Sequence, residues 1–170
     1  MSRSNLRQCL MLFHTVATEN NGKVPYQSNT TVPWVINMWE YAMPGIPFPA
    51  WTNDSSNLKN SIFYCPGIPY ADTAPGAIIR PFAANIYLHS PYSNMEHFQP
   101  SLLPDPSRTM LLITGTSSSV ATRTQIGFRF GDGTLANVGY VDCHIETQSR
   151  DDLQPQIDSY NSVFWKGDLQ

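Results

Sequence analysis

Charge is scarce in this chain of 170 residues, because only 14% of them are Asp, Glu, Lys or Arg and the formal net charge is −3. The 10 basic residues stand singly along the sequence, so it lacks the clustered Lys and Arg of a nucleic-acid-binding surface. General disorder is excluded as well, since 41% of the residues are hydrophobic and the net charge is small. These features predict one globular domain over residues 1–170 that does not bind nucleic acid.

Several chemical motifs are also missing. The three cysteines, Cys9, Cys65 and Cys143, include no Cys-x-x-Cys pair of a zinc or redox site. The sequence has no Gly-rich phosphate loop, no Gly-x-Ser-x-Gly motif and no apolar run near the roughly 18 residues of a membrane span. We therefore expect no cofactor and no catalysis. A bridge between Cys65 and Cys143 is allowed in an exported protein, but nothing in the sequence brings them together, so we expect three free thiols.

An amphipathic helix is the clearest element present. Between Ser4 and Asn20, apolar or small residues recur at helical spacing at Leu6, Cys9, Leu10, Phe13, Val16 and Ala17. The Asn-Asn-Gly that follows ends a helix readily, and Pro25 prevents the helix from resuming. The sequence therefore predicts a helix over residues 4–20. Its apolar face should pack on a sheet while Arg7 and Glu19 stay exposed.

Prolines punctuate the middle of the chain, residues 25–106, and predict long ordered loops there. The stretch after Pro33 is apolar enough for a short helix. Residues 61–65 and 83–89 are rich in aromatic and apolar side chains, which predicts short strands.

The last third of the chain has the clearest strand patterns. An antiparallel sheet is predicted over residues 108–148, because short turns separate its apolar or alternating runs. The predicted strands are residues 108–114, 124–130, 135–141 and 144–147. The tail, residues 149–170, should return Leu153, Ile157 and Trp165 to the core through a short helix.

The most concentrated reactive side chains lie in "GDGTLANVGYVDCHIETQ", residues 131–148. Asp132, Asp142 and Glu146 are candidate calcium ligands, but Gly-Asp-Gly is a turn in its own right and no Asp-x-Asp-x-Asp spacing follows. Cys143 and His144 are adjacent, so on a strand their side chains point to opposite faces and form no catalytic dyad. We favour turn chemistry here. An enzyme would require scattered acids and histidines to converge in a pocket.

Two segments near opposite ends of the chain resemble one family. "NLRQCLMLFHTVATENNGKVP", residues 5–25, resembles the segment after the membrane helix of type II secretion pseudopilins and type IV pilin-like proteins. "ANVGYVDCHIE", residues 136–146, resembles the end of the prepilin-type processing-associated domain of that group, whose signature is His, nine residues and Asp-Gly. The matching positions are Ala136, Asn137, Tyr140, Asp142, His144 and Ile145. Asp132 stands where the signature has His, and Cys143 where it has Gly.

The resemblance implies an α+β pilin-like head, in which the N-terminal helix packs on an antiparallel sheet with long Pro-rich loops. It implies an extracytoplasmic, non-catalytic protein with a structural or assembly role in a secretion or pilus-type system. Its partners would be other pilin-like subunits or secretion-system components. A membrane-embedded half of the helix, with its prepilin-peptidase cleavage site, would precede Ser2 and anchor the protein in the membrane or at the cell surface. Asp142 would bond the amides of a hairpin turn.

A secreted binding module is the alternative hypothesis. Four aromatic residues fall in the loop-rich region: Trp34, Trp39, Tyr41 and Trp51. Exposed aromatic rings could stack on a ligand such as carbohydrate. The same rings could instead cover the sheet as core residues, which is the commoner role of aromatics. Their solvent exposure distinguishes the two.

Overall fold

The computed structural model of the protein describes residues 2–23, 34–48, 60–65, 82–88, 99–116, 119–120, 125–159 and 162–167. Much of the predicted Pro-rich loop region lies outside these ranges. The described helices are α1 (Ser2–Glu19), α2 (Trp34–Ala42), α3 (Arg150–Ile157) and α4 (Val163–Lys166). The described strands are β1 (Phe82–Asn85), β2 (Met110–Thr114), β3 (Ser119–Val120), β4 (Leu135–Tyr140) and β5 (Ile145–Ser149).

The strands form one sheet in the order β3-β1-β2-β4-β5. Strands β1, β2, β4 and β5 pair antiparallel, and the short β3 lies parallel to β1. The register of β2 on β4 shifts between Met110 and Leu112. This bulge lets the successive residues Leu111 and Leu112 both join the core cluster on the α1 side. An N-terminal helix with a mainly antiparallel sheet confirms the predicted α+β class.

The apolar stripe of α1 produces the predicted helix. All six positions of the stripe are buried, and the two charged residues expected in solvent are exposed. The helix ends in a Schellman motif, in which Asn21 has a φ of 56° and the Gly22 amide donates to the Ala17 carbonyl at 2.7 Å. The predicted helix over residues 4–20 is therefore confirmed, and so is the short helix after Pro33, which is α2.

Helices cover both faces of the sheet. On one face, α1 and α2 share a buried cluster with Phe82 and Leu112 of the strands. On the other face, α3 and α4 bury Leu153, Ile157 and Trp165, as predicted for the tail. The N-terminus of α3 is capped by Ser149, whose Oγ accepts the Asp152 amide at 3.1 Å.

A buried asparagine joins α4 to the sheet and ends β1. Asn85 donates through Nδ2 to the carbonyls of Met110 and Trp165, at 2.8 Å in each case. Its Oδ1 accepts the Tyr87 amide at 3.0 Å. Because this side chain takes over the bonding of the following backbone, the predicted strand over residues 83–89 gives way to a turn of 3-10 helix at Ile86–Leu88.

The strand predicted over residues 61–65 is wrong. The Tyr64 amide donates to the Ser61 carbonyl at 3.3 Å, and Ser61 Oγ accepts the Phe63 amide at 3.2 Å. These local bonds make the segment a turn, since a serine hydroxyl competes with strand pairing for nearby amides. Phe63 and Cys65 are still buried in the core.

The strand predicted over residues 124–130 is also wrong within its described part, residues 125–130. Ile126 forms an isolated bridge with Gly115, and Phe130 forms another with Leu135. The segment therefore changes its partner from the end of β2 to the start of β4. No continuous ladder of hydrogen bonds develops on either strand.

Candidate functional site

Asp142 builds the turn between β4 and β5. Its Oδ1 accepts the backbone amide of His144 at 3.1 Å, and the Tyr140 amide donates to the His144 carbonyl at 3.0 Å. The expected bonding of a turn amide by Asp142 is present. Cys143 lies between them with a φ of 71°, a left-handed conformation that favours glycine. Glycine is the residue that the family signature has at this position.

Three neighbours hold the imidazole of His144. Its Nδ1 lies 2.6 Å from Oδ1 of Asp142, and an ionised carboxylate only accepts, so this nitrogen donates its proton. The ring stacks on Tyr140 with centroids 4.1 Å apart and planes inclined by 4°. Its Nε2 lies 3.9 Å from Oε1 of Glu146. The imidazole therefore has a defined orientation.

The hydroxyl group of Tyr140 connects the strands at the same place. It donates to Oε2 of Glu146 at 3.0 Å and accepts from Nε2 of Gln148 at 2.9 Å. Gln148 also donates to the same oxygen of Glu146. Burial, followed by the nearby Glu146 carboxylate, raises the pKa of Tyr140 above its ordinary value. The hydroxyl therefore stays protonated and keeps its donor role.

An open cleft of about 330 Å³ has one wall formed by the side chains of Tyr140, His144, Glu146 and Gln148. The opposite wall belongs to the C-terminal helices and includes Gln156 and Phe164. Ser107 and Arg108, just before β2, close one end. We call this space the β5 cleft.

Sequence patterns account for part of the β5 cleft. Tyr140 and His144 belong to the family motif, whereas Glu146 is a candidate calcium ligand only and Gln148 carries no predicted role. A sequence signal for these two residues exists, because residues 146 and 148 alternate along β5, His144 precedes them at the same spacing, and alternate strand residues share a face. Arg108 precedes β2 and Gln156 lies on α3, and only the packing of these two elements brings the two side chains to the cleft.

The candidate calcium pair is separated by a whole strand. Asp132 lies in the exposed turn before β4, with a φ of 56°, and Asp142 follows β4. The 6 residues of β4 at about 3.3 Å each place the two turns on the order of 20 Å apart. One calcium ion needs its oxygen ligands within about 2.6 Å, so Asp132 and Asp142 cannot bind the same ion, in agreement with the turn chemistry that the sequence favours. In the part of the chain that the structure describes, no group of His, Cys, Asp and Glu could hold a metal ion.

The Ala-Asn pair of the motif has structural roles. Ala136 is buried against the C-terminal helices. Asn137 faces α1, where its Oδ1 accepts from Thr147 Oγ1 at 2.7 Å and its Nδ2 donates to Ser2 Oγ at 3.4 Å. The backbone amide of Asn137 also donates to Thr114 Oγ1 at 3.1 Å. One residue thus joins β4 to β2, to β5 and to the first turn of α1.

Cys143 and His144 point in different directions, as expected from their adjacency. Cys143 packs against the cluster under α1, and His144 borders the β5 cleft. Burial, followed by the charge of Asp142, raises the pKa of the Cys143 thiol, whereas Arg7 lowers it. A nucleophilic cysteine needs a lowered pKa, so the surroundings work against that role.

Two of the four aromatic residues have the core role that the sequence favours over a ligand platform. Trp34 and Trp39 are buried, and Trp39 stacks on Phe63 with ring centroids 5.6 Å apart. Tyr41 is 43% exposed, and Trp51 lies outside the described residues. The two tryptophans thus have the common core role of large aromatics and present no face to a ligand.

Comparison with known proteins adds no relative. The chain matches no protein-family model, no curated protein and no solved structure. Among the residues that the structure describes, no helix combines the length and the apolar character needed to cross a membrane.

Proposed function

We propose that this chain is the extracytoplasmic head of a pseudopilin-like protein, with a structural or assembly role in a secretion or pilus-type system and no catalysis. One observation carries the proposal. The two segments that resemble this family come from opposite ends of the sequence, and they pack directly on each other. The first segment forms α1, and the second forms β4 with its turn.

Three contacts join the two segments. Leu10 lies so close to Gly139 that a Cβ atom there would come within 2.8 Å of Leu10 Cδ1. Nε2 of His14 lies 2.5 Å from the carbonyl oxygen of Val141, at the motif turn. Asn137 bonds the first turn of α1. The helix thus contacts the motif strand and its turn from its first turn to His14.

Two further side chains fasten the start of α1. Arg3 donates through Nη2 to the Ile145 carbonyl at 3.0 Å, and Asn5 donates through Nδ2 to the Tyr64 carbonyl at 2.8 Å. In the proposed protein, a membrane-embedded helix continues α1 upstream. These bonds would then fix the direction in which that helix leaves the head.

The exposed side of α1 is where we propose that neighbouring pilin-like subunits bind. Met11 is 57% exposed there, between the exposed residues Arg7 and Thr15. Methionine is flexible and polarisable, and it suits contact with a partner helix. The membrane and other subunits of a secretion or pilus-type system are therefore the proposed partners.

The natural reading frame upstream of Met1 gives the first test. We expect a basic leader, a Gly-Phe-type cleavage site and about 20 apolar residues directly before Ser2. When this reading frame is expressed in bacteria with a prepilin peptidase, the leader should be removed and the product should sediment with membranes. A matched variant with the glycine of the cleavage site changed to valine should remain uncut. A native start at Met1, or an intact leader in the presence of the peptidase, would contradict the proposal.

A binding role is the second candidate function, and the β5 cleft is the observation that favours it. This cleft uses side chains other than the loop aromatics predicted for a binding module.

A further inference from the structure

We propose that the β5 cleft binds a neutral polyhydroxylated ligand, one sugar unit of a glycan. The inference rests on the cleft and does not depend on the pseudopilin-like role. A volume of about 330 Å³ lies at the small end of ligand pockets and suits a single pyranose ring.

The polar groups of the cleft offer both donors and acceptors. The carboxylate of Glu146 only accepts, whereas the amides of Gln148 and Gln156 donate and accept. Sugar hydroxyl groups also do both, so they match this mixed set. Tyr140 and Gln148 already hold Glu146 by hydrogen bonds, and a preorganised wall loses less conformational freedom when a ligand binds.

The charges of the cleft favour a ligand without net charge. Glu146 contributes one negative charge, and the side chain of Arg108 at the rim is 70% exposed and lies 3.3 Å from Asp105. A phosphate or carboxylate ligand would be repelled by Glu146 at close range. An ammonium ligand would find Oε2 of Glu146 already bonded by Tyr140 and Gln148, and it would also lie near Arg108. A neutral sugar meets neither obstacle, while its hydroxyls still bond the polar groups of the cleft.

A flat ring surface completes the site. The side chain of His144 is 37% exposed, and the ring of Tyr140 supports it from behind. Sugars present an apolar C–H face, which packs on a rigid planar ring. The cleft therefore combines a planar surface with hydrogen-bonding groups around it.

Nuclear magnetic resonance titration of the 15N-labelled chain tests the proposal. The probes are N-acetylglucosamine and galactose as neutral sugars, with glucuronate and glucosamine as charged counterparts. We expect neutral sugars to shift the amide signals of residues 140–148, 156–159 and 162–164, with a Kd on the order of millimolar, as suits so small a ligand. Glucuronate and glucosamine should bind more weakly.

Two variants on α3 separate the cleft from the rest of the surface. Gln156→Ala removes a cleft amide and should weaken neutral-sugar binding by about tenfold. Gln154→Ala removes the amide that bonds Asp158 outside the cleft and should bind as the unchanged protein does. Unshifted spectra elsewhere show that both variants fold. The proposal is overturned if none of the four sugars shifts the cleft signals, if a charged sugar binds best, or if the two variants behave alike.

Discussion

Cys143 holds a backbone conformation that costs free energy for a residue with a Cβ atom. Its φ of 71° lies in the left-handed region, where L-residues lose on the order of 1 kcal/mol. Its partly buried side chain also packs on the cluster under α1, which offsets part of that cost. Strain and contact thus oppose each other at one residue.

Two substitutions separate these effects. Cys143→Ala keeps the Cβ atom and loses the sulfur contacts, whereas Cys143→Gly loses both the contacts and the strain. We expect the glycine variant to be more stable than the alanine variant by about 1 kcal/mol in urea denaturation. The alanine variant, compared with the unchanged chain, reports the sulfur contacts. Equal stability of the two variants would show that the turn is unstrained.

Local chemistry decides which residue roles the sequence can reveal. Asp142 bonds an amide two residues away, and this role follows from the sequence because the partner is a near neighbour. The partners of Asn137 include Thr147 on β5 and Ser2 on α1. No pattern predicts those bonds, because they exist only after the strands pair and the helix docks.

At the scale of elements, the contact between α1 and β4 depends on a missing side chain. A Cβ atom on Gly139 would lie 2.8 Å from Leu10 Cδ1, and Leu10 is fully buried. A glycine inside a strand otherwise weakens the strand, so its presence here fits the close approach of the helix.

We expect Gly139→Ala to destabilise the protein by about 1–3 kcal/mol, because the buried helix must move away from the strand. Leu10→Ala alone should cost about 2–5 kcal/mol through the cavity it leaves. In the double variant, the new methyl group occupies part of that cavity. The combined loss should therefore be smaller than the sum of the single losses by at least about 0.5 kcal/mol, measured by urea denaturation of all four proteins. Additive losses would contradict the contact.

The sequence predicts the elements that have a regular apolar pattern, but it does not predict where a segment changes the strand with which it pairs. The stripe of α1 and the apolar run of β2 identify their elements because each buries a regular pattern. In residues 125–130 apolar residues alternate with others, yet the segment bridges first to the end of β2 and then to β4. Ile126 and Phe128 pack with the C-terminal helices, whereas Phe130 packs on the α1 side, so the alternation does not specify how long the segment keeps one partner or one face.

At the scale of the whole molecule, helices cover both faces of the sheet. The β5 cleft opens at the end of the second layer, which α3 and α4 form on the face opposite α1. The sequence predicts the return of the tail to the core, but it does not place the tail opposite α1. Tyr140 lies under this second layer with its ring buried and its hydroxyl bonded to Glu146. Its ionisation is therefore linked to the stability of the fold.

The pKa of Tyr140 is raised in the folded protein, so folding favours the protonated phenol. The stabilisation is fully present below the ordinary pKa of about 10 and is lost as the pH rises from there toward the folded value. The unfolding free energy of Tyr140→Phe should fall less steeply above about pH 10 than that of the unchanged chain, by up to about 1.4 kcal/mol per pH unit. Between about pH 6 and 8 the two curves should run parallel. Parallel curves above pH 10 as well would contradict the linkage.

The three thiols report on the integrity of the whole fold. Cys9 and Cys65 have no exposed surface, and burial raises the pKa of Cys9, so neither should react with an alkylating reagent while the protein is folded. Cys143 is half-buried and free, and its raised pKa should make its alkylation slow at neutral pH. Mass measurement without reductant should therefore find one slow label on the folded chain and three on the chain in denaturant.

The variant Cys143→Gly is the control and should take no label when folded and two labels when unfolded. A single label on the unfolded, unreduced chain would reveal a disulfide and contradict the free thiols, whereas rapid labelling of Cys9 would show that α1 leaves the sheet without global unfolding.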